Sequence, residues 1–262
     1  MNDTTDILKT DFSGENLKEK FKEEYASGLS NRWDEIVNWD VRKESEDGFF
    51  ENLLREYGVC DVLDMACGTG FHAIHLAQEG FNVDAADGSD AMLAETYANA
   101  EKHDVDLTIQ KADWLSLTHS IHKQYDAVIC LGNALTHLFE KEFYLKTIRE
   151  VFKVLKKGGI FVVDQRNYDR ILDKGYSSKH QYYYCGNQVE IQPVELHDTM
   201  VQFQYKFSEN EKYHLTMHPI RQQVLTGYLK KSGFSNIRTF GDFQERFDPY
   251  EPDFVIQVAQ KA

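Results

Sequence analysis

Val62-Leu63-Asp64-Met65-Ala66-Cys67-Gly68-Thr69-Gly70 leaves an apolar strand and enters a glycine turn, and Phe71–Glu79 continues as a helix closed by Gly80. Glycines at such a junction let the backbone approach a ligand, and the helix start offers free N–H groups. The next strand, Asn82–Ala86, ends at Asp87, 17 residues after Gly70. A carboxylate at that place can accept both ribose hydroxyls of an adenosine. The same turn, Gly68-x-Gly70-x-x-Ala73, also satisfies the dinucleotide fingerprint. It therefore predicts an adenosine nucleoside without choosing between NAD and S-adenosylmethionine.

Residues on either side tilt the choice towards S-adenosylmethionine. Asp64, at the end of the first strand, suits a cationic amino-acid moiety and would repel a pyrophosphate. Asp113-Trp114 follows the third strand, where a carboxylate can accept the adenine amino group and an indole can stack on the ring. The alternatives for these two are a helix cap or solvated loop residue and a core aromatic.

Working outward, Ser89-Asp90 reads as the N-cap region of a helix running to about His103. Leu107–Ala112, Tyr125–Leu131 and Ile160–Asp164 read as strands. Lys141–Leu155 reads as a helix stopped by Lys156-Lys157-Gly158-Gly159. Continuous apolar strands separated by helices indicate a parallel sheet covered on both faces. After Asn167 the rhythm changes to strand-like runs at Gln181–Tyr184, Val189–Leu196, Met200–Phe207 and Tyr213–Met217. Arg221–Lys231 is then a helix, and Ile237–Phe240 and Phe254–Ala259 close the chain as a strand pair. At the N-terminal side Tyr25, Leu29, Trp33, Ile36 and Val37 recur at helical spacing. The pattern breaks around Trp39–Asp47, and a second amphipathic helix starts near Glu46. The expected fold is α/β, a doubly wound Rossmann-like sheet. It divides into an N-terminal helical segment (1–54), a nucleoside-binding core (55–170), an antiparallel insertion (171–219) and core completion (220–262).

Composition sets the outer bounds. A chain of 262 residues, 42% hydrophobic and 27% charged, forms a globular fold with a substantial core. The formal net charge of −14 argues against general nucleic-acid binding, which needs clustered Lys and Arg. Excess carboxylate suits solubility at high salt and equally an ordinary acidic enzyme. Cys60, Cys67 and Cys130 lie in or beside apolar runs and, with Cys185, form no C-x-x-C pair, so buried thiols are expected. No apolar run approaches membrane-spanning length, and Met1–Lys22 lacks the apolar core of a signal peptide. A cytoplasmic protein without membrane contact is expected.

Three motifs, Leu63-Asp64-x-Ala66-Cys67-Gly68-Thr69-Gly70, Ala127-Val128-Ile129-Cys130-Leu131-Gly132-Asn133 and Asp164-x-Arg166-Asn167-Tyr168-Asp169, together resemble glycine N-methyltransferases and the glycine/sarcosine N-methyltransferases of betaine synthesis. The first motif is shared by many class I methyltransferases; the other two are more specific. The resemblance runs from about Tyr25 to near the C-terminus and is weaker in the insertion. It implies S-adenosylmethionine contacts at Tyr25, Trp33 and Arg42, which make the N-terminal segment (1–54) a lid over the cofactor, and at Ala66, Asp87, Asp113, Trp114 and Leu131 in the core. It implies substrate contacts at Asn133, Arg166 and Tyr205, with glycine and sarcosine as the small-molecule substrates. Where the vertebrate glycine enzyme has Asn-Trp, this chain has Asp113-Trp114. The long polar loops of that enzyme's insertion are shortened here, which leaves its folate-type regulation and its oligomeric state open.

The chemistry agrees with these residue types. Methyl transfer from a sulfonium to an amine is an in-line displacement that needs a neutral amine and good alignment, but no metal and no covalent nucleophile. A guanidinium binds a small carboxylate bidentately, which suits Arg166 at the sheet's carboxyl edge. The alternative is an ion pair with Asp164 or Asp169. Asn133 could add a hydrogen bond or serve as a turn residue, and Tyr205 could reach the acceptor or be an ordinary strand tyrosine. His137 could take the amine's proton, line the pocket or cap a helix. No histidines form a metal motif, and His72 and His75, three apart on a helix, are expected to pack or face solvent. Tyr182-Tyr183-Tyr184 could cover the site or stabilise the insertion, the second being preferred.

Overall fold

A computed structural model describes residues 20–179 and 189–262. The strand expected at Gln181–Tyr184, the tyrosine run within it and Cys185 lie outside the described residues.

Seven strands form the central sheet: β1 (Asp61–Asp64), β2 (Asn82–Asp87), β3 (Thr108–Lys111), β4 (Tyr125–Cys130), β5 (Leu155–Arg166), β9 (Phe234–Gly241) and β10 (Phe254–Lys261). Their order is β3-β2-β1-β4-β5-β10-β9. The first five run parallel, and β10 is antiparallel to both β5 and β9. The chain reverses direction across the sheet between β1 and β4, where doubly wound folds bind ligands at the strands' carboxyl ends. Apolar side chains cover both faces. One layer includes Leu63, Val128, Tyr144, Phe161 and Leu229, and the other Val62, Leu76, Ile129, Val162 and Ile256.

Two local readings need correcting. The stretch Trp39–Glu46 is a helix (α3), where the sequence pattern suggested a break. The breaks sit on either side of it, at Asn38 (φ 48°) and at Asp47 (φ 44°). Asn38 caps α3 by accepting from Val41 N at 3.4 Å, a local hydrogen bond that apolar periodicity does not report. The helix before it is α2 (Trp33–Val37), preceded by α1 (Lys20–Glu24), and α4 (Phe49–Glu56) follows. In the second case, helix α8 (Lys141–Val154) passes straight into β5, so Lys156-Lys157-Gly158-Gly159 belongs to the strand. The register slips there, from Tyr125 opposite Leu155 to Ala127 opposite Ile160. A Cβ at Gly159 would lie 2.8 Å from Asp126 O, so this bulge requires glycine. Of the cysteines, Cys67 and Cys130 are buried, whereas Cys60 is exposed because it precedes β1 instead of entering the sheet.

The remaining helices of the core are α5 (Phe71–Gln78), α6 (Asp90–Lys102), α7 (Leu117–Ser120), α9 (Tyr168–Lys174) and α10 (Gln222–Lys231). The insertion is an antiparallel sheet of β6 (Glu190–His197), β7 (Met200–Ser208) and β8 (Glu211–Met217). Its alternate residues Val201, Phe203 and Tyr205 turn inward and meet Leu29 and Ile36 of the lid and Tyr168 and Phe254 of the core. Lid, insertion and core thus share a third apolar cluster beside the site. Among the described residues no helix is long and apolar enough to cross a membrane.

Candidate active site

A cavity of about 560 Å³ opens at the carboxyl ends of β1, β2 and β4, beneath the lid. Its floor is the glycine turn. Gly68 N donates to Asp87 Oδ2 at 3.0 Å, and Ser89 N donates to Asp87 Oδ1 at 2.8 Å. Gly70 has φ 97°, and a Cβ there would meet Ile74 Cδ1 and Thr96 Cγ2 at 3.1 Å. The turn can therefore pack this closely on α5 and α6 only with glycine.

The walls come from the neighbouring strand ends. Ala66 and Leu131 line the cavity from β1 and β4. Asp113 accepts from Leu115 N at 2.9 Å and caps the short turn that begins at Trp114. The alternative reading of Asp113 as a cap is realised, and the residue lines the cavity as well. Trp114 Nε1 donates to Met65 O at 2.7 Å, which fixes the indole against the cavity. From the lid come Tyr25, Trp33 and Arg42. Tyr25 and Trp33 meet edge to face at 5.6 Å, and the Tyr25 hydroxyl lies 3.2 Å from His137 Nε2. Every residue for which the resemblance implies a nucleoside contact is therefore at this one cavity.

The electrostatics select the kind of ligand. Burial, with Asp87 nearby, pushes the Asp64 carboxyl up to about 7, while Ala66 N at 3.2 Å and Arg42 oppose the rise. Burial likewise pushes Asp87 up to about 6. Carboxyls held this high are short of positive charge, so a cationic ligand relieves them and a pyrophosphate aggravates them. Arg42 is the nearby cation. Its Nε donates to Glu46 Oε1 at 2.7 Å, and Nη2 lies 3.4 Å from His72 Nε2. Burial works to raise the Glu46 carboxyl, but His72 and Arg42 hold it below the usual range. Arg42 on the cavity wall suits the carboxylate end of an amino acid, and the buried Asp64, close enough to feel Arg42, suits its cationic end and a sulfonium. The residues fit S-adenosylmethionine and not a dinucleotide. His72 and His75 are buried against Glu46 and Glu51, which join the lid to α5.

Asn133, Arg166 and Tyr205 lie one layer behind this wall and do not line the cavity. Asn133 is fully buried between the cavity residues Gly132 and Ala134. It donates from Nδ2 to the Tyr168 hydroxyl at 2.9 Å, and its Oδ1 accepts from Arg166 N at 2.9 Å. The Arg166 guanidinium sits 4.5 Å from the Phe203 ring centroid and 5.4 Å from that of Phe254. Asp169 accepts from Arg221 at 3.1 Å, and Asp164, beneath the same turn, accepts from Gly132 N and Asn133 N at 3.0 and 2.7 Å. Tyr205 is fully buried, and its ring lies 6.1 Å from Trp33. Phe203 and Tyr205 share one face of β7, so the insertion carries the wall that links Arg166 to the lid. Burial pushes His137 down to about 4, with a hydrogen bond to the Thr216 backbone working the other way. His137 is therefore a neutral group on the cavity wall near neutral pH.

Sequence reasoning missed part of this setting. Thr69, Phe139 and Phe143 also line the cavity, and Asp34 bonds to Thr69 from outside it. Thr69 was legible from its place inside the glycine turn. Phe139, Phe143 and Asp34 carry no motif and are brought in by tertiary packing.

Comparisons with known proteins agree with this geometry. A family model described as a methyltransferase domain matches residues 62–159. An S-adenosylmethionine-dependent methyltransferase from Clostridium acetobutylicum has the same fold, with a TM-score of 0.71 at 18% identity over 91% of this chain and 99% of that one. The glycine/sarcosine N-methyltransferase of Aphanothece halophytica is 46% identical over 92% of this chain and 91% of its own. That of Halorhodospira halochloris is 41% identical over 100% of this chain and 98% of its own. With a nucleoside cavity, a carboxyl-edge arginine and this similarity along nearly the whole length, the chain belongs to the glycine/sarcosine N-methyltransferases.

Proposed function

We propose that the protein transfers methyl groups from S-adenosylmethionine to the nitrogen of glycine, giving sarcosine, and then to sarcosine, giving N,N-dimethylglycine, on the route to betaine. The observation that carries this reading is the pairing of a carboxylate-lined nucleoside cavity with a buried guanidinium, Arg166, immediately behind its wall. In it Tyr25, Trp33, Arg42, Ala66, Asp87, Asp113, Trp114 and Leu131 hold the nucleoside and its amino-acid tail. Arg166 takes the substrate carboxylate, Asn133 holds the Arg166 backbone from behind, and Tyr205 packs beside Trp33 on the same side.

S-adenosylmethionine supplies an electrophilic methyl on a sulfonium. The protein's part is alignment, which is worth roughly 7–11 kcal/mol in well-oriented reactions. Arg166 fixes the carboxylate, so the amine of so short a substrate faces the cavity. The Tyr25 hydroxyl, hydrogen-bonded to His137 Nε2 at that wall, keeps an oxygen lone pair for the amine protons. As the nitrogen lone pair forms the new N–C bond, the C–S electron pair passes to sulfur. The proton shed by the amine goes to His137 or to water. Burial pushes His137 down to about 4, which makes it a weak base, so water is the better acceptor near neutral pH.

The test is Arg166→Ala measured against each ligand separately. Leaving a substrate carboxylate without its guanidinium costs about 3 kcal/mol, so KM for glycine should rise roughly a hundredfold. Affinity for S-adenosylhomocysteine should change less than threefold. Equal losses for both ligands would refute the carboxylate role.

A further inference from the structure

The lid brings Trp33 and Arg42 onto the cavity, yet α2 is a helix of only 5 residues and cannot hold its place by itself. Ile36 packs into the apolar cluster behind it, and the helix's hydrogen bonds to the glycine turn and α6 converge on one carboxylate outside the cavity, Asp34. Asp34 Oδ1 accepts from Thr69 Oγ1 at 2.5 Å and from Trp39 Nε1 at 2.9 Å, and Oδ2 accepts from Asn99 Nδ2 at 2.9 Å. Asn99 Nδ2 also donates to Thr69 O at 2.9 Å, so lid, glycine turn and α6 close into one ring of hydrogen bonds. Trp39, oriented by Asp34, stacks on His103 with centroids 5.0 Å apart and planes 11° apart. Three donors from three segments meeting two oxygens are the partners an acceptor-only carboxylate satisfies.

We infer that Asp34 is a positioning residue, a latch that holds the lid against the glycine turn and sets how fast the nucleoside ligand leaves. This rests on the reading of the cavity as the S-adenosylmethionine site. Asp34 acts through its neighbours: through Thr69 on the floor of the cavity, and through the backbone that carries Trp33 over it.

Stopped-flow tryptophan fluorescence with S-adenosylhomocysteine tests the latch from both sides. Asp34→Asn puts a donor where an acceptor is needed. Asn99→Asp sets a second carboxylate against the first. Each variant should release the ligand about tenfold faster, the weight of one charge-assisted hydrogen bond, with the association rate within twofold of the unaltered protein. Amide exchange across residues 25–37 in the complex should speed up in step. A variant that merely folds less well loses binding amplitude while its remaining sites keep the original dissociation rate, and that result would overturn the latch. Failure of the unaltered protein to bind S-adenosylhomocysteine would overturn the cavity reading, and the latch with it.

Discussion

Asn133 shows how one side chain sets the geometry of a site from behind. Its backbone adopts φ 65°, and its amide joins β5 to α9 and β8 through Arg166 N, the Tyr168 hydroxyl and Met217 Sδ. Truncating it leaves the buried Arg166 N–H without an acceptor, a loss of about 1–3 kcal/mol. Asn133→Ala should therefore lower the melting temperature by roughly 2–4 °C per kcal/mol lost and also raise KM for glycine, because Arg166 is no longer fixed. A normal melting temperature with a raised KM would instead assign Asn133 to direct substrate contact. At this scale the sequence was informative where a residue sits at a strand end. Asp87, Asp113 and Leu131 could be located because the sheet's carboxyl edge is fixed by topology. Whether Asn133 faces the cavity or the interior depends on a single positive φ and on Met217, 84 positions away, and neither leaves a local pattern.

Among the elements, the glycine turn carries the tightest steric constraint. Gly70→Ala forces a left-handed residue and presses a methyl onto Ile74 and Thr96. The backbone cost alone is about 1–2 kcal/mol. The turn should loosen, with a lower melting temperature and at least tenfold weaker binding of S-adenosylhomocysteine; unchanged binding would show that the turn does not shape the cavity. The apolar strands β1, β2 and β4 and the long helices α6 and α8 were legible because each buries a regular face. The boundaries at α3 and at the start of β5 were not. The first is fixed by Asn38 and Asp47 adopting left-handed conformations, and the second by a bulge whose partner, Asp126 O, lies on β4.

For the molecule as a whole, the site gathers carboxylates into a buried place. Asp64 and Asp87 retain protons in the folded, ligand-free chain up to about 7 and about 6. Their contribution to stability is thus present below the usual carboxylate pKa of ~4 and is lost as pH rises through those values. A cationic ligand prefers the ionised forms, so its binding expels protons between about pH 5.5 and 7.5. S-adenosylmethionine affinity should fall several-fold on acidification across that window, and calorimetric enthalpies should shift with the buffer's heat of ionisation in the sense of proton release. The neutral-sulfur product S-adenosylhomocysteine should show a weaker dependence. An affinity that is flat, or that rises on acidification, would contradict this electrostatic account. The acidic composition was visible from the start. That part of the charge lies under the lid, where it can act on a ligand, follows from the folding of residues far apart in the chain.

The most direct measurement is transfer of a ¹³C-labelled methyl from S-adenosylmethionine, followed by mass spectrometry with glycine, sarcosine and N,N-dimethylglycine offered one at a time. The account predicts labelled sarcosine from glycine and labelled dimethylglycine from sarcosine, with S-adenosylhomocysteine formed in equal amount and both products suppressed in Arg166→Ala. No labelled product from any of the three acceptors, while S-adenosylmethionine still binds, would contradict it.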